Sequence, residues 1–270
     1  MNNYSEELLG LKDKVVVITG AGGQLGGQFV RAFLNAGAKV AAMDISPENS
    51  KGGLSSLRSE ALLLVKADIT KKDSLKTALE TIKKAFGSPD VLVNNAAIDA
   101  PPNASELHTG PFETYPEESW RAMLEVNLTG MFFCCQIFGA DMANRGAGGS
   151  IINISSIYGL VSPDQHIYEY KEKPFFKPVA YSVTKSGVLN LTRYLAVYWA
   201  NKKIRVNTLT FAGVFNNQDK DFLKNYVAKV PLGRMARQDE YNGAVLFLAS
   251  DAASYMTGSN MVIDGGYTSL

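Results

Sequence analysis

The chain has 270 residues, 46% of them apolar, with 27 basic side chains against 26 acidic ones, enough to bury the core of one α/β domain. Charges of both signs are interspersed, so no basic face exists on which a nucleic acid would bind. Two adjacent cysteines, Cys134 and Cys135, and two histidines, His108 and His166, give neither a disulfide framework nor a zinc-ligand set, and they read as a protein of a reducing compartment whose chemistry rests on hydroxyls and a cofactor.

The opening residues, MNNYSEELLGLKDK, lack the apolar run of a secretory signal, and the later apolar stretches read as shorter than a bilayer span; the expectation is a cytoplasmic protein with no membrane partner. Along the chain, Val15–Thr19, Lys39–Met43, Ala61–Ala67, Val91–Val93, Ser150–Ile154, Ile204–Thr210 and Met261–Ile263 read as strands. Their apolar residues are continuous instead of alternating, as in strands covered on both faces of a parallel sheet. Between them, Gln24–Asn35, Lys72–Phe86, Glu117–Asn144, Tyr181–Asn201, Lys220–Lys229 and Asp239–Ala249 carry helical spacing. With no internal repeat and no linker, the pattern predicts an α/β chain: a single-domain, doubly wound Rossmann fold, its parallel seven-stranded sheet flanked by helices on both faces. Two irregular stretches, 98–115 and 161–178, follow strands on the carboxyl side, where open α/β sheets take their ligands.

The first strand runs into Gly20-Ala21-Gly22-Gly23-Gln24-Leu25-Gly26, and a helix follows. Strand, glycine turn and helix in that order bring free N–H groups to a dinucleotide pyrophosphate. Asp44 closes the second strand 24 residues after Gly20, where a carboxylate accepts hydrogen bonds from an adenosine ribose diol. The same carboxylate repels a ribose 2′-phosphate, and Gly23 offers no basic side chain to bind one, so NAD is favoured over NADP.

Tyr181 and Lys185 stand four apart at a helix start and share a face. Lowering a phenol from about 10 to about 7 takes roughly 4 kcal/mol; an ammonium about 4 Å away at a partly shielded site supplies up to about 4 kcal/mol, and an oxidised nicotinamide ring adds further positive potential. Ser155 and Ser156, at the carboxyl edge of the fifth strand, are both candidates to hydrogen-bond the reacting oxygen.

Thr19-Gly20…Gly26, Asp68-Ile69, Asn94-Asn95-Ala96-Ala97, Asn127, Ser156 and Tyr181-Ser182-Val183-Thr184-Lys185 stand in the order of a short-chain dehydrogenase/reductase, which the chain resembles over nearly its whole length. The resemblance implies a catalytic set of Asn127, Ser156, Tyr181 and Lys185, choosing Ser156 over Ser155 and giving Asn127 a water that relays protons through Lys185. It implies cofactor contacts at Gly20, Gly23, Gln24, Leu25, Gly26, Asp44, Ile45, Asp68, Ile69, Asn95, Ala96, Ala97, Gly213, Phe215 and Asn217, besides Tyr181 and Lys185. It also implies a homodimer or homotetramer paired through the helices at 117–144 and 181–201. Three features depart from the pattern: the glycine spacing is that of extended members, Ala212-Gly213 replaces Pro-Gly, and Asn217 takes the place of a threonine that holds the carboxamide.

Tyr181 follows Ser156 by 25 residues, a longer gap than the family's usual one, so an insertion lies beside the reacting centre. It carries His166, Tyr168, Glu169, Tyr170, Lys171, Glu172, Lys173, Phe175, Phe176 and Lys177, a mixture better suited to a hydroxyl-rich or anionic ligand than to a steroid or acyl chain. With Ser156, the residues Tyr158, His166 and Tyr168 are the candidate substrate contacts. Ser155–Gly159, Ile167–Glu169 and Asn216–Gln218 are similar to the subgroup linked to flagellin modification and surface sugars, which implies a sugar-like substrate, with a 3-oxoacyl thioester as the alternative. A non-catalytic dinucleotide-binding regulator is the rival of another class, and the complete catalytic set speaks against it. An epimerase or dehydratase, raised by the glycine spacing, would need a longer substrate region than the residues after Gly258 supply.

Overall fold

In the computed structural model, which describes residues 8–48, 52–99, 106–170 and 175–270, seven parallel strands form one sheet in the order β3-β2-β1-β4-β5-β6-β7. These are β1 (Val15–Thr19), β2 (Lys39–Asp44), β3 (Leu62–Lys66), β4 (Val91–Asn94), β5 (Gly149–Ser156), β6 (Ile204–Phe211) and β7 (Asn260–Ile263). The order reverses between β1 and β4, so the crevice at their carboxyl ends is the topological switch point where such sheets bind ligands.

The continuous apolar strands are buried on both faces because helices cover each side. On one face, α2 (Lys72–Phe86), α4 (Met131–Arg145) and α5 (Val179–Tyr198) pack over Val15, Val17, Leu92, Ile151 and Val206. On the other, α1 (Gln24–Asn35) and α7 (Asn242–Ala249) cover Val16, Ile18, Val93, Ile152 and Leu209. α6 (Lys220–Val227) lies over the site; Asp219 caps it by accepting from Asp221 N (2.8 Å) and Phe222 N (3.3 Å).

The predicted helix 117–144 is divided: α3 (Glu117–Leu124) passes through a π turn, Glu125–Gly130, into α4. The apolar stretch Glu117–Arg145 is, against the expectation, long and apolar enough by composition to cross a membrane. It is accounted for inside the fold, since Met131, Cys134, Cys135, Phe138 and Met142 lie in the core. Its opposite side exposes Phe132, and beside it α5 exposes Tyr194, Val197 and Tyr198. Lys171, Glu172 and Lys173 of the insertion, together with the prolines at 101, 102 and 174, lie outside the described residues.

Candidate active site

β1 delivers Thr19 to the glycine turn. A Cβ at Gly26 would sit 2.2 Å from the Gly20 carbonyl oxygen, so only glycine lets the helix start so close to the strand. Asp44 braces the turn: Gly22 N donates to its Oδ2 at 2.9 Å and Ser46 N to its Oδ1 at 3.0 Å. The carboxylate keeps further lone pairs for a ribose diol. Gly23 opens α1 in extended conformation with no side-chain cap, so the N–H groups of the first turn stand ready for an anion. Asn95 joins β4 to this turn by donating from Nδ2 to the carbonyls of Thr19 (3.1 Å) and Gly20 (3.0 Å), while Thr19 Oγ1 accepts from Asn95 N and Ala96 N. These residues fit a dinucleotide.

Among the other expected cofactor residues, Ile45 is exposed and Ile69 is buried against Gly130. Asp68 accepts from Thr70 N and Oγ1 at 2.9 and 2.7 Å. Gly213 lines the central cavity, but Phe215 and Asn217 do not. Phe215 contributes its carbonyl to Gln24 Nε2 (3.0 Å). Asn217, exposed and at φ 54°, is replaced in the lining by Val214 and Gln218. The reason is local: Gln218 folds back on its own loop, donating to Val214 O and accepting from Asn216 N, both at 2.7 Å.

A cavity of about 650 Å³ brings Gln24, Leu25, Asn95, Ala97, Ser156, Tyr158, Tyr168, Tyr181 and Lys185 together. Ser156 is the last residue of β5, two residues further into the strand than its sequence suggested. Ser155 turns away and donates to Lys185 O at 2.8 Å. The next turn packs directly on α5: a Cβ at Gly159 would lie 2.6 Å from Lys185 O and 2.7 Å from Ser155 Oγ. This close approach sets the serine against the tyrosine. Ser156 Oγ accepts from Tyr158 N at 3.3 Å and lies close enough to the Tyr181 phenol to favour its charged form, and Lys185 Nζ donates to Ile154 O at 3.0 Å, 5.8 Å from the Tyr181 ring centroid.

Burial pushes the Tyr181 phenol well up from its ordinary value, and the Asp99 carboxylate pushes the same way; the Ser156 hydrogen bond opposes both. Burial also draws the Lys185 ammonium down to about 8, against the pull of Asp99. Burial thus works against an acidic phenol in the protein by itself, and Lys185 is itself near half-charged at slightly alkaline pH.

Asn127 lies fully buried in the π turn, a feature frequent at functional sites. Its amide is engaged at both ends, Oδ1 accepting from Ile98 N at 2.8 Å and Nδ2 donating to Ile98 O at 2.9 Å. The side chain clamps the loop leaving β4. His166 is not brought to the cavity. It stands in solvent, 81% exposed, against Asp164 and Glu169, because Asp164 caps the short turn Gln165–Tyr168 from outside. Tyr168 does reach inward and is wedged between Phe222 (5.6 Å) and Phe175 (4.6 Å). Asp99, Gln218, Asp219, Phe222, Tyr226 and Met235 also line the cavity and were not foreseen. For Asp99 a signal existed, since it is a lone carboxylate shortly after β4 on the ligand-binding edge.

A family model described as enoyl-(acyl carrier protein) reductase matches residues 20–268. The chain is 33% identical over 263 residues to an NAD-dependent glycerol dehydrogenase of Listeria innocua, covering 96% of this chain and 95% of the relative. It is 33% identical over 268 residues to a D-threitol dehydrogenase of Mycolicibacterium smegmatis, covering 96% and 94%. The crystal structure of a short-chain dehydrogenase from Leptospira borgpetersenii with bound NAD+ superposes with a TM-score of 0.85 at 35% identity, covering 99% of this chain and 96% of that one.

Proposed function

Because the chain belongs to the short-chain dehydrogenase/reductase family of oxidoreductases, we propose that it interconverts a secondary alcohol and a ketone on a small, polar, sugar-like polyol with NAD. The observation that carries this reading is the convergence of Ser156, Tyr181 and Lys185 with the uncapped start of α1 in one hydroxyl-rich cavity. Glycerol and threitol dehydrogenases among the relatives support the polyol.

Gln24, Leu25 and Gly26 would hold the pyrophosphate at the start of α1, Asp44 the adenosine ribose, Ile45, Asp68 and Ile69 the adenine side, and Asn95–Ala97 with Gly213 the inner half. NAD held there would supply the hydride acceptor for the carbinol carbon. Ser156 Oγ holds the substrate oxygen, and Tyr181 Oη takes the hydroxyl proton during oxidation and returns it during reduction. Lys185 supplies positive charge near the phenol, and Asn127 positions the β4 loop. NADP is disfavoured by Asp44 at the ribose.

The likeness of 155–159, 167–169 and 216–218 to the flagellin-modification and surface-sugar subgroup supports a sugar-like member of the polyol class. The exposed apolar strip on α4 and α5 supports a homodimer or homotetramer. A panel of polyols, sugars, sugar phosphates and acyl thioesters, read by NADH absorbance, tests the assignment. Turnover of a polyol is the expected result, and turnover confined to acyl thioesters would refute it.

A further inference from the structure

Asp99 and Lys177 meet across the mouth of the cavity. Asp99 follows β4 on the loop that Asn127 clamps at Ile98, and Lys177 immediately precedes Pro178, the N-cap of α5. Lys177 Nζ bonds Asp99 Oδ1 and lies over the Tyr181 ring, 4.6 Å from its centroid. Its backbone is fixed as well, Lys177 N donating to Gln165 Oε1 at 2.8 Å. The lysine side chain is only 12% exposed, whereas that of Asp99 is 63% exposed, so the carboxylate turns its free oxygen outward while the ammonium is covered.

Resting on the polyol reading above, we propose that the Asp99–Lys177 pair recognises substrate hydroxyls and sets the site for neutral vicinal polyols instead of anionic hydroxy acids or sugar phosphates. Among the described residues lining the cavity, the charged groups are Asp99, Asp219, Lys177 and Lys185. Lys185 donates to Ile154 O and Lys177 is paired with Asp99, so among the described lining residues no unpaired cation is left for a carboxylate or phosphate. The free Asp99 oxygen accepts from a hydroxyl, and the remaining Lys177 N–H donates to its neighbour. A site built to hydrogen-bond hydroxyls rejects ligands that leave its charges unpaired.

The test compares wild type, Asp99→Asn and Lys177→Met on glycerol and threitol against gluconate and glycerol 3-phosphate, with NAD affinity measured separately by calorimetry. Wild type should favour the neutral pair. Asp99→Asn should lower kcat/KM on neutral polyols roughly 10- to 100-fold, the loss of a charge-assisted hydrogen bond, and raise the anionic-to-neutral ratio because Lys177 is uncovered. Lys177→Met should move that ratio the opposite way, both variants keeping NAD affinity within a few-fold. If either variant loses NAD affinity, Asp99→Ser and Lys177→Gln replace them. A wild-type preference for the anions, or a ratio that stays fixed or moves the same way in both variants, overturns the proposal while leaving a polyol dehydrogenase in place. A wild type that binds NAD but turns over none of these compounds overturns both readings.

Discussion

The ammonium of Lys177 lies 4.6 Å from the centroid of the Tyr181 ring, closer than that of Lys185 at 5.8 Å. The phenol thus has two lysines near its ring, one from its own helix and one from the insertion. A cation over an aromatic face is worth about 0.5–2 kcal/mol.

Tyr181→Phe should reduce alcohol oxidation by several orders of magnitude while NAD affinity stays within a few-fold, because the proton acceptor is lost and most of the binding surface remains. Steady-state rates together with calorimetry check this. Oxidation by the wild type should accelerate with rising pH, since the raised phenol must give up its proton to serve as base, and ketone reduction should show the opposite slope.

Lys185→Met should abolish turnover yet stabilise the protein without NAD. Burial holds Lys185 at about 8 against an ordinary 10.5, so between those values the unfolded chain binds more protons than the folded one, and stability rises with pH across that window. The gain from Lys185→Met should be on the order of 2 kcal/mol at pH 7, after loss of the bond to Ile154 O is subtracted, and should shrink as pH rises toward 10.5. Thermal unfolding at several pH values measures it.

Asp44→Ala should weaken NAD binding about tenfold or more and raise the NADP-to-NAD affinity ratio, because it removes the ribose acceptor, the repulsion of a 2′-phosphate and the brace on Gly22 N. Calorimetry with both cofactors decides it. An unchanged ratio would contradict the assigned role.

Val197→Glu combined with Tyr194→Glu should shift the protein toward monomer in light scattering. Tyr194 and Tyr198 stack at 6.0 Å on the exposed side of α5, and Val197 beside them is 80% exposed. A charge on so apolar a strip disfavours burial against a second copy.

The parallel sheet was legible because strands buried on both faces leave continuous apolar runs, and the start of α1 was legible because the glycine turn and helix stand next to each other in sequence. Features that depend on which side chains meet in the folded chain were not. The π turn at Glu125–Gly130 has no local sign, since its residues continue a helical pattern, yet it places Asn127 under Ile98. His166 belonged to the right loop but is turned outward by a cap from Asp164, two residues earlier. Asn217 stands where the family resemblance puts a threonine, while the fold of Gln218 onto Val214 puts Gln218 in the lining.

The contact of Gly159 on Lys185 O and the cap of α5 by Pro178 pin both ends of the insertion to the catalytic helix. With both ends held there, a change of side chains between them leaves Ser156 in place relative to Tyr181. New substrate preferences are then reachable by heritable change in one short segment, and a chimera carrying the corresponding segment of a glycerol or threitol dehydrogenase should keep its hydride chemistry while inheriting the donor's taste in alcohols.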